Sequence, residues 1–232
     1  MSDDSFENKN DAVAKRPLAL IVDFDYALFN GIDLLREVST SAFREANVEI
    51  NDITFLRSFL GRRLNSGVNS ILGNEALGKA DLVKEAIIKG MDKAIESATP
   101  RAAVVDLCRK VLDKGISLAF VTSVSASVID KIAADLDLLD ASVVRGNMSE
   151  CIGSYYIDVW LRAARAVRVR PLLCTALTAT GKSVREALLA GMKASALTVP
   201  LIEYQDYSGA DLVKSGTVSN LDDIEVLVEI KM

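Results

Sequence analysis

Five short apolar runs punctuate this chain, with helically spaced segments between them, and that alternation most restricts the folds open to it. The runs are 18–22, 117–122, 141–144, 172–177 and 194–199. Their apolar residues are successive rather than alternate, as in strands buried on both faces of a parallel sheet. In 101–114, Val104, Leu107, Cys108, Val111 and Leu112 fall on one helical face, and Gly115 stands where a helix would stop. Segments 127–136, 158–167 and 183–190 repeat the pattern. Strands alternating with helices imply right-handed βαβ units and a doubly wound parallel sheet of the Rossmann-like α/β class.

The alternation fails between Gly31 and Thr99, where only helical patterns occur, at 32–46, 52–60, 66–72 and 82–97. A helical block inserted straight after the first strand reads as a cap over the carboxyl end of the sheet, where open α/β sheets bind small molecules. The expected organisation is a flexible tail at 1–16, a core at 17–30 and 100–232, and a helical cap at 31–99.

Composition removes several functions. Among 232 residues there is no histidine, so a histidine-based triad is impossible and the commonest general base is missing. Cys108, Cys151 and Cys174 have no CxxC spacing, and without histidine they cannot form a Cys/His zinc site; a reduced, cytoplasmic protein is expected. A formal net charge of −5 argues against nucleic acid or an anionic membrane surface as partner. No apolar run approaches the roughly 20 residues that span a bilayer. The polar start has no segment of signal-peptide type.

Chemistry must then come from carboxylates, hydroxyls and amines. The first run ends in Asp23-Phe24-Asp25. Two acids so placed repel each other unless a cation or a proton lies between them; the alternative is a loop pair in which Asp25 caps the next turn.

The segment ALIVDFDYALFN, 19–30, resembles the first motif of the haloacid-dehalogenase-like hydrolases, a hydrophobic strand followed by DxDGT. LAFVTS, 118–123, is similar to their second motif. SAFREANVEI and FLGRRLNSGVNSIL resemble the helical cap of the β-phosphoglucomutase-like and phosphoglycolate-phosphatase-like branch. SVREALLAGM with ALTVP and SGADLV resembles its last helix and strand. The resemblance implies a phosphohydrolase acting on a small phosphorylated metabolite with Mg2+. Asp23 would be the nucleophile that forms an aspartyl-phosphate, Asp25 the general acid/base, and Thr122 the hydroxyl holding the transferred group. Asp23 and Asp25 would also serve the metal. Thr178, at the end of the fourth run, would converge with Asp23 and Thr122.

Other motif positions depart from the family. Tyr26-Ala27 replaces the Gly-Thr after the acids. Ser154 stands at the third-motif lysine, and no lysine occurs between Lys131 and Lys182. Thr178-Ala179 stand where fourth-motif acids belong, and no Asp or Glu lies between Asp158 and Glu186. Phosphoryl transfer depends on positioning and charge neutralisation. If each missing group is worth about 2–4 kcal/mol, the pair costs on the order of 10³–10⁶ in rate. Lys182 and Arg145 are the candidates to replace the lost charge, and Arg62 and Arg63 to grip an anion from the cap. The expectation is a catalytically impaired or inactive protein kept for binding, regulatory or structural use, with a protein partner and no cofactor. The alternative is an active phosphatase or phosphomutase with a rearranged site.

Overall fold

The computed structural model of the protein describes residues 18–215; the tail expected at 1–16 and the last part of the expected core, 216–232, lie outside the described residues. Six parallel strands form one sheet: β1 (Ala19–Asp23), β2 (Ser117–Thr122), β3 (Ser142–Arg145), β4 (Cys174–Thr178), β5 (Lys193–Thr198) and β6 (Leu212–Ser215). Their order is β3-β2-β1-β4-β5-β6, which places β1 inside the sheet between β2 and β4. Every residue of β1 is buried, as its unbroken apolar run requires.

Two details differ from the expected runs. β6 carries only Leu212 and Val213 between Asp211 and Lys214, so its apolar run is too short to read, and it lies at a sheet edge where less burial is demanded. The fourth strand begins at Cys174 rather than Leu172, because Pro171 opens a tight turn over Pro171–Leu173.

Between β1 and β2 lie α1 (Gly31–Glu45), α2 (Asp52–Thr54), a wider helical turn at Phe55–Phe59, α3 (Leu64–Ala76) and α4 (Ala80–Ser97). No strand interrupts 31–97. α2 starts because the Asn51 side chain accepts the Thr54 backbone N–H at 2.9 Å. Val83, Ile87, Met91 and Ile95 recur every fourth residue of α4 and are all buried. Phe43 meets Phe59 edge to face at 5.7 Å in the core of this helical block. The remaining helices are α5 (Ala102–Asp113), α6 (Ala126–Asp135), α7 (Ile157–Ala166) and α8 (Gly181–Leu189). Trp160 on α7 is a core residue, wholly buried. Among the described residues no helix is long and apolar enough to cross a membrane.

The register sets the functional end. Asp23 stands beside Val121, the residue before Thr122, and Val22 stands beside Leu177, the residue before Thr178. The last residues of three neighbouring strands therefore emerge together.

Candidate active site

After Asp23 the chain makes a wide turn over Phe24–Leu28, closed by the Phe29 N–H donating to the Phe24 carbonyl at 3.3 Å. Asp23 Oδ1 accepts the Tyr26 backbone N–H at 2.9 Å, and Asp23 Oδ2 accepts the Thr178 hydroxyl at 2.9 Å. Asp25 is more heavily engaged. Its Oδ1 accepts from the Thr122 hydroxyl at 2.5 Å. Its Oδ2 accepts the Ser123 N–H at 2.8 Å, the Ser123 hydroxyl at 2.5 Å and the Tyr155 hydroxyl at 2.7 Å. Both carboxylates have 0% exposure. Every carboxylate oxygen of the pair thus has a partner from the chain itself.

Two buried tyrosines accompany the acids. Tyr26 and Tyr155 are 2% and 3% exposed, and their rings lie 6.1 Å apart. Tyr155 also meets Trp160 edge to face at 6.3 Å, which fixes its ring against α7. Arg101 braces the turn from behind: one guanidinium nitrogen donates to the carbonyls of Tyr26, Ala27 and Phe29 at 3.1, 2.6 and 2.9 Å.

Burial decides the protonation of the pair. It pushes the Asp23 carboxyl well above the usual range, and the nearby Asp25 charge pushes it further; the Tyr26 N–H, the Thr178 hydroxyl and the Arg101 charge pull back. Burial also raises Asp25, against the bonds from Ser123, Thr122 and Tyr155. With four donors on Asp25 and two on Asp23, and with the Asp25 charge acting on Asp23, the Asp23 carboxyl is the one raised further. The Thr178 hydroxyl can accept as well as donate, so a neutral Asp23 keeps its neighbour. Both tyrosine phenols are held well above their ordinary range by burial, so they stay hydrogen-bond donors.

At the third-motif position, Ser154 is 4% exposed and shares a hydrogen bond of 2.9 Å with the Ser183 hydroxyl. A neutral hydroxyl pair fills this place. Ser183 is fixed in turn by its backbone N–H, which donates to Thr180 Oγ1 at 3.2 Å. Ala179 is wholly buried.

The sequence candidates therefore separate. Asp23, Asp25, Thr122 and Thr178 come together. The four cations lie elsewhere. Lys182 Nζ donates to the Gly61 carbonyl at 3.1 Å and sits 4.6 Å above the Tyr156 ring. Arg145 Nε donates to the Val124 carbonyl at 2.9 Å. Arg62 donates to the Arg57 carbonyl at 3.2 and 3.0 Å, and Arg63 is exposed just before α3. The sequence puts Tyr155 and Tyr156 near the third-motif position without assigning either a role, and Ser123 and Arg101 are not among its candidates. The Thr-Ser pair ending β2 could have pointed to Ser123; nothing local distinguishes Tyr155 from Tyr156 or marks Arg101.

A Mg2+ ion asks for near-octahedral oxygen ligands, usually with one or two carboxylates available to it. Here both carboxylates are covered by N–H and O–H donors. The Asp25 carbonyl packs so closely on Gly31 that a Cβ there would lie 2.1 Å from it. Thr178 and Ala179 bring no acid. Among the described residues no three His, Cys, Asp or Glu side chains gather as a metal-holding group. The residues present do not fit the ion.

No protein-family model matches the chain, and no curated protein matches it. Solved structures do. CbbY from Rhodobacter sphaeroides, in complex with phosphate, superposes with a TM-score of 0.69 at 18% identity, over 91% of this chain and 99% of that one. A haloacid dehalogenase-like family hydrolase from Streptococcus pneumoniae gives 0.65 at 20% identity, over 86% and 93%. β-Phosphoglucomutase from Clostridium difficile gives 0.63 at 16% identity, over 90% and 93%. The chain has the fold of the haloacid-dehalogenase-like hydrolases, in the form shared by the β-phosphoglucomutase-like proteins.

Proposed function

We propose that this haloacid-dehalogenase-like fold is catalytically silent as a Mg2+-dependent phosphatase, and that its acid pair has become a polar centre of the protein core. The observation that carries this reading is that Asp23 and Asp25 are both wholly buried, with every carboxylate oxygen bonded within the chain. A nucleophilic carboxylate has to be ionised and reach phosphorus. Here Asp23 is wholly buried, its carboxyl is held well above the usual range, and both its oxygens are occupied by donors of the chain. The neutral Ser154–Ser183 pair adds no charge that would draw a phosphate in. The helical block 31–99 then serves as a permanent cover, and the protein's use is binding, regulatory or structural, through its surface and a protein partner.

A second reading keeps an active enzyme on a small phosphorylated metabolite. In its favour, CbbY with the same fold holds phosphate, and Asp23, Asp25 and Thr122 meet at one end of the sheet. A panel of small phosphate esters, assayed with and without millimolar Mg2+ and against Asp23→Asn, separates the two. Background turnover throughout is expected. Mg2+-dependent turnover lost in Asp23→Asn would establish the second reading instead.

A further inference from the structure

Between β3 and α7 the chain leaves the sheet and enters the helical block. Its turn at 149–152 pairs with the block's loop at 61–64 through three backbone bonds. The Gly61 N–H donates to the Ile152 carbonyl at 2.8 Å, the Ile152 N–H to the Arg62 carbonyl at 2.9 Å, and the Leu64 N–H to the Ser149 carbonyl at 3.0 Å. Ile152 is wholly buried, and its side chain lies close to Gly67 of α3. Gly153 follows with φ +72°, and a Cβ there would meet Leu60 at 2.4 Å and lie within 3.6 Å of Ile32 and Leu35, all from the block. Only glycine meets both the conformation and the close approach.

Lys182, at the start of α8, crosses the same seam. Its ammonium donates to the Gly61 carbonyl, already approached by the Cys151 thiol at 3.8 Å, while its charge rests over Tyr156. Lys182 is thus a cation from the sheet side tied to a carbonyl of the helical side. Along α4 of the block, the Ser125 N–H donates to Asp92 at 2.9 Å, and Lys131 meets Glu96 at 2.7 Å.

We propose that the 61–64/149–152 ladder and the Lys182 strap form a latch that fixes the helical block to the sheet, so that the block does not swing open in the native state. This rests on the silent reading above and deepens it, since a latched block denies solvent and ligand any route to the acid pair. Lys182 is a positioning residue here: it acts on the block through Gly61 and touches neither acid.

Amide hydrogen exchange, followed by NMR on the full chain without any phosphate ligand, tests the latch. In the wild-type chain the Gly61, Leu64 and Ile152 amides should exchange within about tenfold of Ile21 in β1, because only global unfolding exposes them. In Lys182→Met, which keeps the apolar stem, Gly61 and Ile152 should exchange at least about tenfold faster while Ile21 is unchanged. Wild-type latch amides exchanging more than a hundredfold faster than Ile21 would overturn the proposal, and so would a folded Lys182→Met protein with unaltered exchange. The wild-type comparison stands even if the variant does not fold. Rapid latch exchange without turnover sinks the latch alone; turnover with a protected latch sinks the silent reading and the claim that the latch closes the route to the acids, while leaving the latch itself in place.

Discussion

The Tyr155 hydroxyl donates to Asp25 Oδ2 at 2.7 Å, joining the turn before α7 to the turn after β1 across 130 residues of sequence. That bond is one of three that the structure places on Asp25 Oδ2. It also makes Tyr155 a test of whether the acid pair holds the fold together.

Tyr155→Phe removes one of four donors on Asp25 while leaving the ring against Trp160. Hydrogen bonds to charged groups are worth about 1.5–3 kcal/mol, so a loss of that size in denaturant-unfolding free energy is expected. A change below about 0.5 kcal/mol would mean that Asp25 does not depend on this donor.

Asp23→Asn should reduce the pH dependence of stability. The Asp23 carboxyl is raised in the folded state, so the fold binds its proton more tightly than the unfolded chain does. Its contribution is therefore fully present below the unfolded value, near 4, and is lost as pH rises toward the folded value. Wild-type Tm, relative to Asp23→Asn, should fall as pH rises above about 4, with the difference moving in the variant's favour up to the raised folded-state value. A wild-type advantage that grows with pH over that window would show that Asp23 is ionised and stabilised by its partners.

Millimolar Mg2+ should leave the melting temperature unchanged. A ligand that binds only the native state raises stability by mass action, and a site with Kd well below the applied concentration would be plain in a thermal-shift series. An upward shift with Mg2+, absent in Asp23→Asn, would mean that the carboxylates release their hydrogen bonds to take the ion.

Restoring the family's charges should fail unless space is made as well. Ser154→Lys places an ammonium in a pocket where the native side chain is 4% exposed and breaks the bond to Ser183. A buried charge without a partner costs about 3–5 kcal/mol. Adding Ala179→Asp should recover part of that loss, because the two new charges interact. Turnover of an aryl phosphate should rise above background only when Tyr26→Gly and Ala27→Thr are added too. Turnover in Ser154→Lys with Ala179→Asp alone would remove the obstruction attributed to Tyr26.

The sequence by itself determined the architecture. Apolar runs such as 19–22 can be satisfied only in a sheet covered on both faces, and helical spacing between them leaves the parallel order as the economical solution. It also placed Asp23, Thr122 and Thr178 together, because each ends a strand and neighbouring strands in such a sheet end side by side. It did not reveal β6, where two apolar residues between charges leave no period to detect, nor Tyr155, Ser123 and Arg101 around the acids. Those partners come from segments separated by about a hundred residues or more in two cases, and no local pattern encodes which of two adjacent tyrosines turns inward. Tertiary structure alone decided that the acid pair is buried among donors of the chain and that the Lys182 ammonium meets the Gly61 carbonyl. The physical reason is that burial and hydrogen-bond partnership are properties of packed neighbours. A motif fixes which groups a chain carries; packing fixes whether water, a proton or a phosphate can reach them.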